Sequence, residues 1–143
     1  MSNKTRVAIN GFGRIGRVTA RILLSRTDLE LVAVNDLTDN KTLAHLFKYD
    51  SVHGVFQGEV SFGDDHLNLG GTKVKAFAEK DPSKLPWKEL GIDVVIECTG
   101  FFLTRDTAGG HLKAGAKKVV LSAPAKDPSI KTVVLGVNDH IMD

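Results

Sequence analysis

Residues 5–36 read TRVAINGFGRIGRVTARILLSRTDLELVAVND, and this stretch decides the fold. Residues 4–10 alternate polar and apolar side chains and then meet glycines, which is typical of a strand entering a tight turn. Residues 14–25 carry apolar side chains at helical spacing with arginines between them, which indicates an amphipathic helix. Residues 30–35 form a short segment with an apolar centre, which is typical of a strand covered on both faces of a parallel sheet. Together these elements predict one βαβ unit.

The glycines of this unit follow the pattern GxGxxG, at Gly11, Gly13 and Gly16, and Asp36 comes 20 residues after the last of them. Between a predicted strand and a predicted helix, this pattern indicates dinucleotide binding. The first glycine permits the sharp turn, the second lets the backbone approach a pyrophosphate, and the third lets the helix pack closely on the sheet. The amino terminus of the helix would then face the phosphates with its N–H groups.

Asp36 predicts which dinucleotide is bound. Its carboxylate can accept hydrogen bonds from both hydroxyls of an adenosine ribose, and its charge would repel a 2′-phosphate. NAD is therefore favoured over NADP. The alternative is that Asp36 caps a helix or is a solvated acid in a loop.

The rest of the chain continues the alternation of strands and helices. We predict a helix at 40–47, capped by Asp39 or Asn40, a loop at 49–58, and an antiparallel excursion at 59–77 that ends in a strand at 73–77. A short helical stretch at 81–90 follows. The last predicted elements are a strand at 93–97, a helix at 104–114, and strands at 117–122 and 132–137. The fold class is therefore α/β, a Rossmann-type doubly wound, mostly parallel sheet with helices on both faces and a small antiparallel excursion. We expect residues 1–143 to form one domain.

Two later loops are expected to border the same crevice, because ligands of open α/β sheets bind outside the carboxyl ends of the strands. Thr99 and Gly100 follow one predicted strand, with Phe102 close behind, and Ser122 ends another. Hydroxyls, a glycine and an aromatic ring suit a nucleotide pocket. The alternative is an ordinary strand-to-helix turn with a capping hydroxyl.

Composition narrows the function classes. The chain is 42% hydrophobic and 25% charged, as a globular domain is, and it has no apolar run near the roughly 20 residues that span a bilayer. Its net charge of +2 comes from scattered basic residues, so neither nucleic acid nor a membrane is an expected partner. A single cysteine, Cys98, and no signal-peptide pattern favour a cytoplasmic location. The five histidines show no metal-ligand spacing, so no metal site is expected, and Cys98 is expected to be inert.

Longer motifs carry a resemblance to a known family. They are RVAINGFGRIGR (6–17), VAVND (32–36), FKYDSVHGVFQG (47–58), FAEKDPSKLPW (77–87), GIDVVIECTGFF (91–102) and KKVVLSAPAKD (117–127). In order and spacing the chain resembles the amino-terminal, NAD-binding half of phosphorylating glyceraldehyde-3-phosphate dehydrogenase, a glycolytic oxidoreductase. The resemblance runs from about Thr5 to Asp143.

The resemblance implies NAD as the cofactor and assigns roles to particular residues. The loop GFGRIG would hold the pyrophosphate, with Arg14 and Ile15 in contact with it, and Asp36 would bind the adenosine ribose. Lys80, where relatives commonly have arginine, would lie near the adenine. The full set of expected cofactor-binding residues is Gly11, Phe12, Gly13, Arg14, Ile15, Gly16, Asn35, Asp36, Lys80, Thr99, Gly100, Phe102 and Ser122.

The resemblance also implies what the chain lacks. In the family, a cysteine thiolate attacks the aldehyde, hydride passes to the nicotinamide, and phosphate cleaves the thioester, with a histidine as the base. The cysteine belongs to an SNASCTTN-like motif that is not in this sequence. We therefore expect a chain that binds NAD, contains no catalytic residue and is inactive alone, with a carboxyl-terminal catalytic domain as its partner in a homotetramer. The alternatives are the NAD domain of erythrose-4-phosphate dehydrogenase and a non-catalytic NAD-sensing module.

Overall fold

The computed structural model describes residues 3–142 as alternating strands and helices. The strands in chain order are β1 (Thr5–Asn10), β2 (Leu29–Asn35), β3 (Tyr49–Asp50), β4 (Gly54–Val55), β5 (Val60–Phe62), β6 (His66–Leu69), β7 (Thr72–Phe77), β8 (Val94–Glu97) and β9 (Lys118–Leu121). The helices are α1 (Arg14–Ser25), α2 (Asn40–Lys48), α3 (Arg105–Ala108) and α4 (Gly110–Lys113), with 3-10 turns at Pro82–Lys84 and Asp139–Ile141.

Within residues 3–142, seven strands form one sheet in the order β5-β6-β7-β2-β1-β8-β9. The five strands from β7 to β9 run parallel, whereas β5, β6 and β7 pair antiparallel. The first βαβ unit consists of β1, α1 and β2, and β7 adds to the sheet beside β2. The chain then crosses to β8 on the other side of β1. The predicted fold class is confirmed, and the point where the strand order reverses lies between β1 and β8.

Apolar side chains cover both faces of the sheet. On one face α1 and α2 contribute Leu23, Leu43 and Phe47 to a core that also takes Ile9 and Phe12. Asp39 starts α2, because its carboxylate accepts a hydrogen bond from the Thr42 amide at 2.9 Å, as predicted for this cap.

The other face of the sheet packs against the segment between β7 and β8 and against α4. Its core contains Leu85, Trp87, Ile92 and Val95, and Trp87 is completely buried. Both faces of the parallel strands are therefore covered, as their short apolar sequences require.

Two helix predictions were too long. The stretch predicted at residues 81–90 has only a 3-10 turn at Pro82–Lys84, since Pro86 has no N–H to continue a helix. The helix predicted at residues 104–114 is split into α3 and α4 at Gly109. In the predicted loop at residues 49–58, β3 and β4 form a short antiparallel hairpin.

The last predicted strand, residues 132–137, is wrong. Asn138 instead closes this segment into a turn, because its side chain accepts from the Val134 amide at 2.6 Å and donates to the Thr132 carbonyl at 2.9 Å. Leu135 is 86% exposed. A strand needs a neighbouring backbone for its hydrogen bonds as well as suitable apolar side chains. Residues 132–137 have the side chains, but β9 is the edge of the sheet and does not pair with them.

None of the helices within residues 3–142 is both long enough and apolar enough to cross a bilayer.

Candidate cofactor site

A cleft of about 310 Å³ opens at the carboxyl ends of β1, β2 and β8, beside the reversal of strand order. Crevices at this position are the ligand sites of doubly wound sheets. The residues that line it are Asn10, Gly11, Gly13, Asn35, Asp36, Leu37, Glu79, Lys80, Cys98, Thr99, Phe101 and Phe102.

The glycine turn between β1 and α1 is built by close backbone packing. Gly11 has a φ of +93°, and a Cβ there would lie 2.8 Å from the Thr99 amide nitrogen. A Cβ at Gly16 would lie 2.1 Å from the Gly11 carbonyl oxygen, so α1 can start this close to the turn only with glycine. Gly13 differs, since open space surrounds the position of its missing Cβ. The turn therefore presents bare backbone to the cleft at Gly13.

The amino terminus of α1 begins at this turn. Gly13 occupies the cap position and has no side chain to satisfy the first N–H groups, and the first turn contains no acidic residue. Arg14 and Ile15 follow, both exposed. Unpaired N–H groups and the helix dipole make such a terminus suitable for an anion.

Asp36 faces the cleft from the end of β2 and is held by backbone amides. One carboxylate oxygen accepts from the Phe12 amide at 2.7 Å and the other from the Thr38 amide at 2.9 Å. Each oxygen keeps a further lone pair for a ligand hydroxyl. The bond to Phe12 also ties the glycine turn to β2, so Asp36 orients the turn as well as bordering the cleft.

Cys98 lines the cleft at the end of β8 and is the single cysteine of the chain. Burial raises the pKa of its thiol, and the nearby Glu97 charge raises it further, while a hydrogen bond with Ser122 lowers it in part. The thiol is therefore neutral near pH 7 and a poor nucleophile, in line with the inert role expected of it.

Metal-ligating side chains do not cluster in this region or elsewhere in residues 3–142. No group of three or more His, Cys, Asp or Glu side chains there could hold an ion.

Comparison with known proteins identifies the family. The family model described as "Glyceraldehyde 3-phosphate dehydrogenase, NAD binding domain" matches residues 5–105. The chain belongs to this family. It is 58% identical over 139 residues to glyceraldehyde-3-phosphate dehydrogenase from Clostridium pasteurianum. These aligned residues make up 97% of the chain and 41% of that protein.

Two further relatives agree. The Thermotoga maritima enzyme of the same name is 60% identical over 136 residues, or 94% of the chain and 40% of the relative. The Geobacillus stearothermophilus enzyme is 54% identical over 138 residues, or 96% of the chain and 41% of the relative. The chain spans about two fifths of the length of these curated relatives. It is the NAD-binding domain of this dehydrogenase family, and its cofactor is NAD.

The NAD-binding domain brings seven of the predicted site residues together in its cleft. These are Gly11, Gly13, Asn35, Asp36, Lys80, Thr99 and Phe102. The other six lie around it. Phe12 is buried and packs on Phe47 with ring centroids 5.9 Å apart, while Gly16 is buried beneath the turn. Arg14, Ile15, Gly100 and Ser122 are exposed, and none of them lines the cleft.

Five residues of the NAD-binding domain's cleft escaped sequence reasoning. They are Asn10, Leu37, Glu79, Cys98 and Phe101. Each lies next to a predicted site residue in the chain, so its position beside such a residue, near the end of a strand, could have indicated that it lines the cleft. Leu37 is 61% and Phe101 83% exposed, and at the cleft mouth the Phe101 ring is suited to stacking on a flat ring while Leu37 can pack against one.

Proposed function

We propose that the cleft holds NAD across the glycine turn and that the whole protein carrying this domain is a phosphorylating glyceraldehyde-3-phosphate dehydrogenase. The observation that carries the proposal is the convergence of three features on one cleft. These are the bare backbone at Gly13, the uncapped start of α1, and the Asp36 carboxylate, which two amides hold in place.

The proposed pyrophosphate site is the turn from Gly11 to Gly16. Gly13 leaves room for the phosphates, and the first N–H groups of α1 point toward them. Arg14 and Ile15, exposed on the first turn, contact the phosphates with their main chains, and Arg14 adds a positive charge. The buried Phe12 contributes by its amide, which fixes Asp36, rather than by its ring.

Asp36 takes the adenosine ribose in this proposal. The lone pairs that Phe12 and Thr38 leave unused accept from the two hydroxyls, and the negative charge disfavours a 2′-phosphate. Asn35 holds the adjoining wall from beneath, since its side chain bonds to the backbone of Glu79.

The remaining predicted residues form the walls for the two rings and the second ribose. Lys80 lies near the adenine, and Thr99 and Phe102 line the cleft from the end of β8. Gly100, with a φ of +77°, shapes that loop, and Ser122 contacts the wall through Cys98.

Catalysis belongs to the rest of the protein in this proposal. Acyl transfer through a thioester needs a thiolate with a base beside it, and the neutral Cys98 does not offer one. The chain alone is therefore inactive, and a catalytic domain and a homotetramer complete the enzyme. A cytoplasmic location is part of the same proposal and is supported by the single cysteine, which cannot form an internal disulfide.

Calorimetric titration with NAD and with NADP tests the proposed site. We expect NAD to bind more tightly than NADP, and Asp36→Asn to weaken NAD binding by about 1 to 3 kcal/mol, the scale of a hydrogen bond to a charged group. Asn removes the charge and offers one acceptor oxygen in place of the two that accept from the Phe12 and Thr38 amides, so the preference for NAD over NADP should shrink as well.

Glu89→Gln is the matched control, because it removes one negative charge from an exposed position outside the cleft. Equal affinity of the Asp36→Asn variant and the unmodified chain for NAD would contradict the ribose role. A folded chain that binds neither nucleotide would contradict the proposed site as a whole.

A further inference from the structure

A carboxyl group lies buried directly behind the cleft. Glu97 is the last residue of β8 and only 1% exposed, and it is not among the residues that line the cleft. Burying a charge is costly unless hydrogen bonds replace its lost water. The hydrogen-bond partners of this carboxylate therefore show which parts of the structure it stabilises.

Both oxygens of Glu97 accept hydrogen bonds. Oε2 accepts from the amide and the hydroxyl of Thr99, at 2.9 and 2.6 Å. Oε1 accepts from the side-chain amide of Asn10 at 2.6 Å and from Nε2 of His111 at 2.8 Å. The indole N–H of Trp87 donates to Nδ1 of His111, so the ring proton of that histidine lies on Nε2, toward Glu97.

These bonds keep the carboxylate charged in spite of its burial. Burial alone would raise the pKa of Glu97, but hydrogen bonds from His111, Thr99 and Asn10 outweigh it and lower the pKa below its ordinary value. Glu97 is therefore an acceptor for four donors at neutral pH.

The network reaches the cleft on both sides. Asn10 accepts from the Asn35 side chain at 2.7 Å, and Asn35 in turn accepts from the Glu79 amide at 2.8 Å and donates to the Glu79 carbonyl at 2.9 Å. Asn10, Asn35, Glu79 and Thr99 all line the cleft, and they follow or end four different strands. One buried carboxylate thus joins walls that come from β1, β2, β7 and β8.

We propose that Glu97 is a positioning residue for NAD, which holds the cleft walls in their binding geometry from behind without touching the cofactor. This inference rests on the proposed NAD site. The Thr99 hydroxyl, which donates to Glu97, also accepts from the Phe101 amide at 3.2 Å, so the carboxylate orders the loop leading to the aromatic residues at the cleft mouth. Walls fixed before the ligand arrives reduce the ordering cost of binding.

A double-mutant cycle tests the proposal, with the dissociation constant of NAD as the readout. Glu97→Gln keeps the shape of the side chain but has one acceptor oxygen instead of two. Either the two donors of Thr99 or the pair from Asn10 and His111 must therefore lose its acceptor. Thr99→Val removes the hydroxyl at nearly constant size, and Thr99→Ser restores it. We expect each of the first two substitutions to raise the dissociation constant about tenfold, and the Ser variant to stay close to the unmodified chain.

The double variant separates an indirect role from a direct one. If the Thr99 hydroxyl acts through Glu97, the double variant binds NAD more tightly than the product of the two single effects predicts, because Thr99→Val then removes a bond that Glu97→Gln has already broken or deprived of its charge. If the two effects multiply, the hydroxyl contacts NAD itself and the positioning role is overturned. Val95→Ala is the control for stability, since Val95 is buried on the same face of β8 and should lower the unfolding temperature without changing NAD affinity.

The outcomes also separate this inference from the proposed site. An unmodified chain that is folded but binds no NAD refutes the site. An unmodified chain that binds, with Glu97→Gln and Thr99→Val binding equally well, refutes the positioning role alone. If Glu97→Gln does not fold, the comparison of Thr99→Val with Thr99→Ser decides, since Thr99 is only half-buried and lies in a loop.

Discussion

Gly11 and Gly13 lie two residues apart in the same turn, and the structure constrains them in opposite ways. Gly11 needs its positive φ and has the Thr99 backbone against it, so its role is to let the chain fold. Gly13 has a φ of −80° and open space around it, so nothing in the fold requires a glycine there. If Gly13 must be glycine, the proposed pyrophosphate in the cleft is the reason.

This difference gives a paired prediction. Gly11→Ala should lower the free energy of unfolding by about 1 to 3 kcal/mol, because of its backbone strain and close contact. Gly13→Ala should change it by less than about 0.5 kcal/mol and still weaken NAD binding at least about tenfold, because the methyl group takes the place of the pyrophosphate. Denaturant unfolding and calorimetry measure both quantities. Normal NAD affinity in the Gly13→Ala variant would show that the phosphates do not approach this residue.

Sequence reasoning reached the residues of the turn because their spacing carries a mechanism. It did not reach Glu97, which stands in the apolar run DVVIEC and gives no periodic signal. Its partners Asn10 and His111 are 87 and 14 residues away in sequence, so only the folded sheet brings them together. Seven of the residues that line the cleft were predictable from the glycine spacing and from their place at strand ends, whereas Glu97, which lies behind the cleft, was not.

At the scale of elements, prediction succeeded where hydrophobic period and hydrogen-bond partners agreed. The helix α1 was predicted with its bounds, and the strands β1, β2 and β8 to within a residue. The split between α3 and α4, by contrast, falls at Gly109, where a Cβ would lie 2.5 Å from the Arg105 carbonyl oxygen. The period of the apolar residues does not show such a local contact.

The hairpin formed by β3 and β4 depends on Asp50. The amides of His53 and Val52 donate to its carboxylate, and these bonds lower the pKa of Asp50 from 3.8 to about 2. Arg21 of α1 holds the same hairpin by donating to the Gly54 carbonyl at 2.9 Å. A carboxylate that the fold keeps ionised contributes stability above its ordinary pKa and loses that contribution as the pH falls.

We therefore expect Asp50→Ala to be less stable than the unmodified chain from pH 4 upward, with the difference fading as the pH approaches about 2, where the native carboxylate also becomes protonated. Denaturant unfolding at pH 7 and near pH 2.5 measures this. Glu89→Ala, at an exposed position, controls for the loss of one charge. A difference that stays constant over this pH range would mean that the charge of Asp50 contributes nothing to the hairpin.

For the whole molecule, the strand order explains why one cleft collects residues from distant parts of the sequence. The chain turns back at β1, so the ends of β2 and β8 flank the same opening. The βαβ alternation was enough to predict this arrangement. It was not enough for residues 132–137, whose apolar pattern looks like a strand but which form a turn around Asn138.

Because the cleft is formed by several strands at once, NAD should stabilise the molecule globally. With NAD at 100 times its dissociation constant, the expected gain in unfolding free energy is about 2.7 kcal/mol, which raises the unfolding temperature by several degrees. A thermal scan with increasing NAD measures this, with the Gly13→Ala variant as the control: if its affinity is at least tenfold lower, its gain at the same NAD concentration should be about 1.4 kcal/mol or less. A scan that NAD leaves unchanged would count against binding to the native state.

Asp36 has a consequence for how cofactor preference can evolve in this scaffold. The carboxylate that we propose binds the ribose also accepts from the Phe12 and Thr38 amides, so it anchors the glycine turn. A lineage that drifts toward NADP by replacing Asp36 with a small apolar residue would lose order in the pyrophosphate turn at the same step. The accessible route passes through residues that still accept from at least one of those amides, such as Asn or Ser, and only then gains a cation for the additional phosphate.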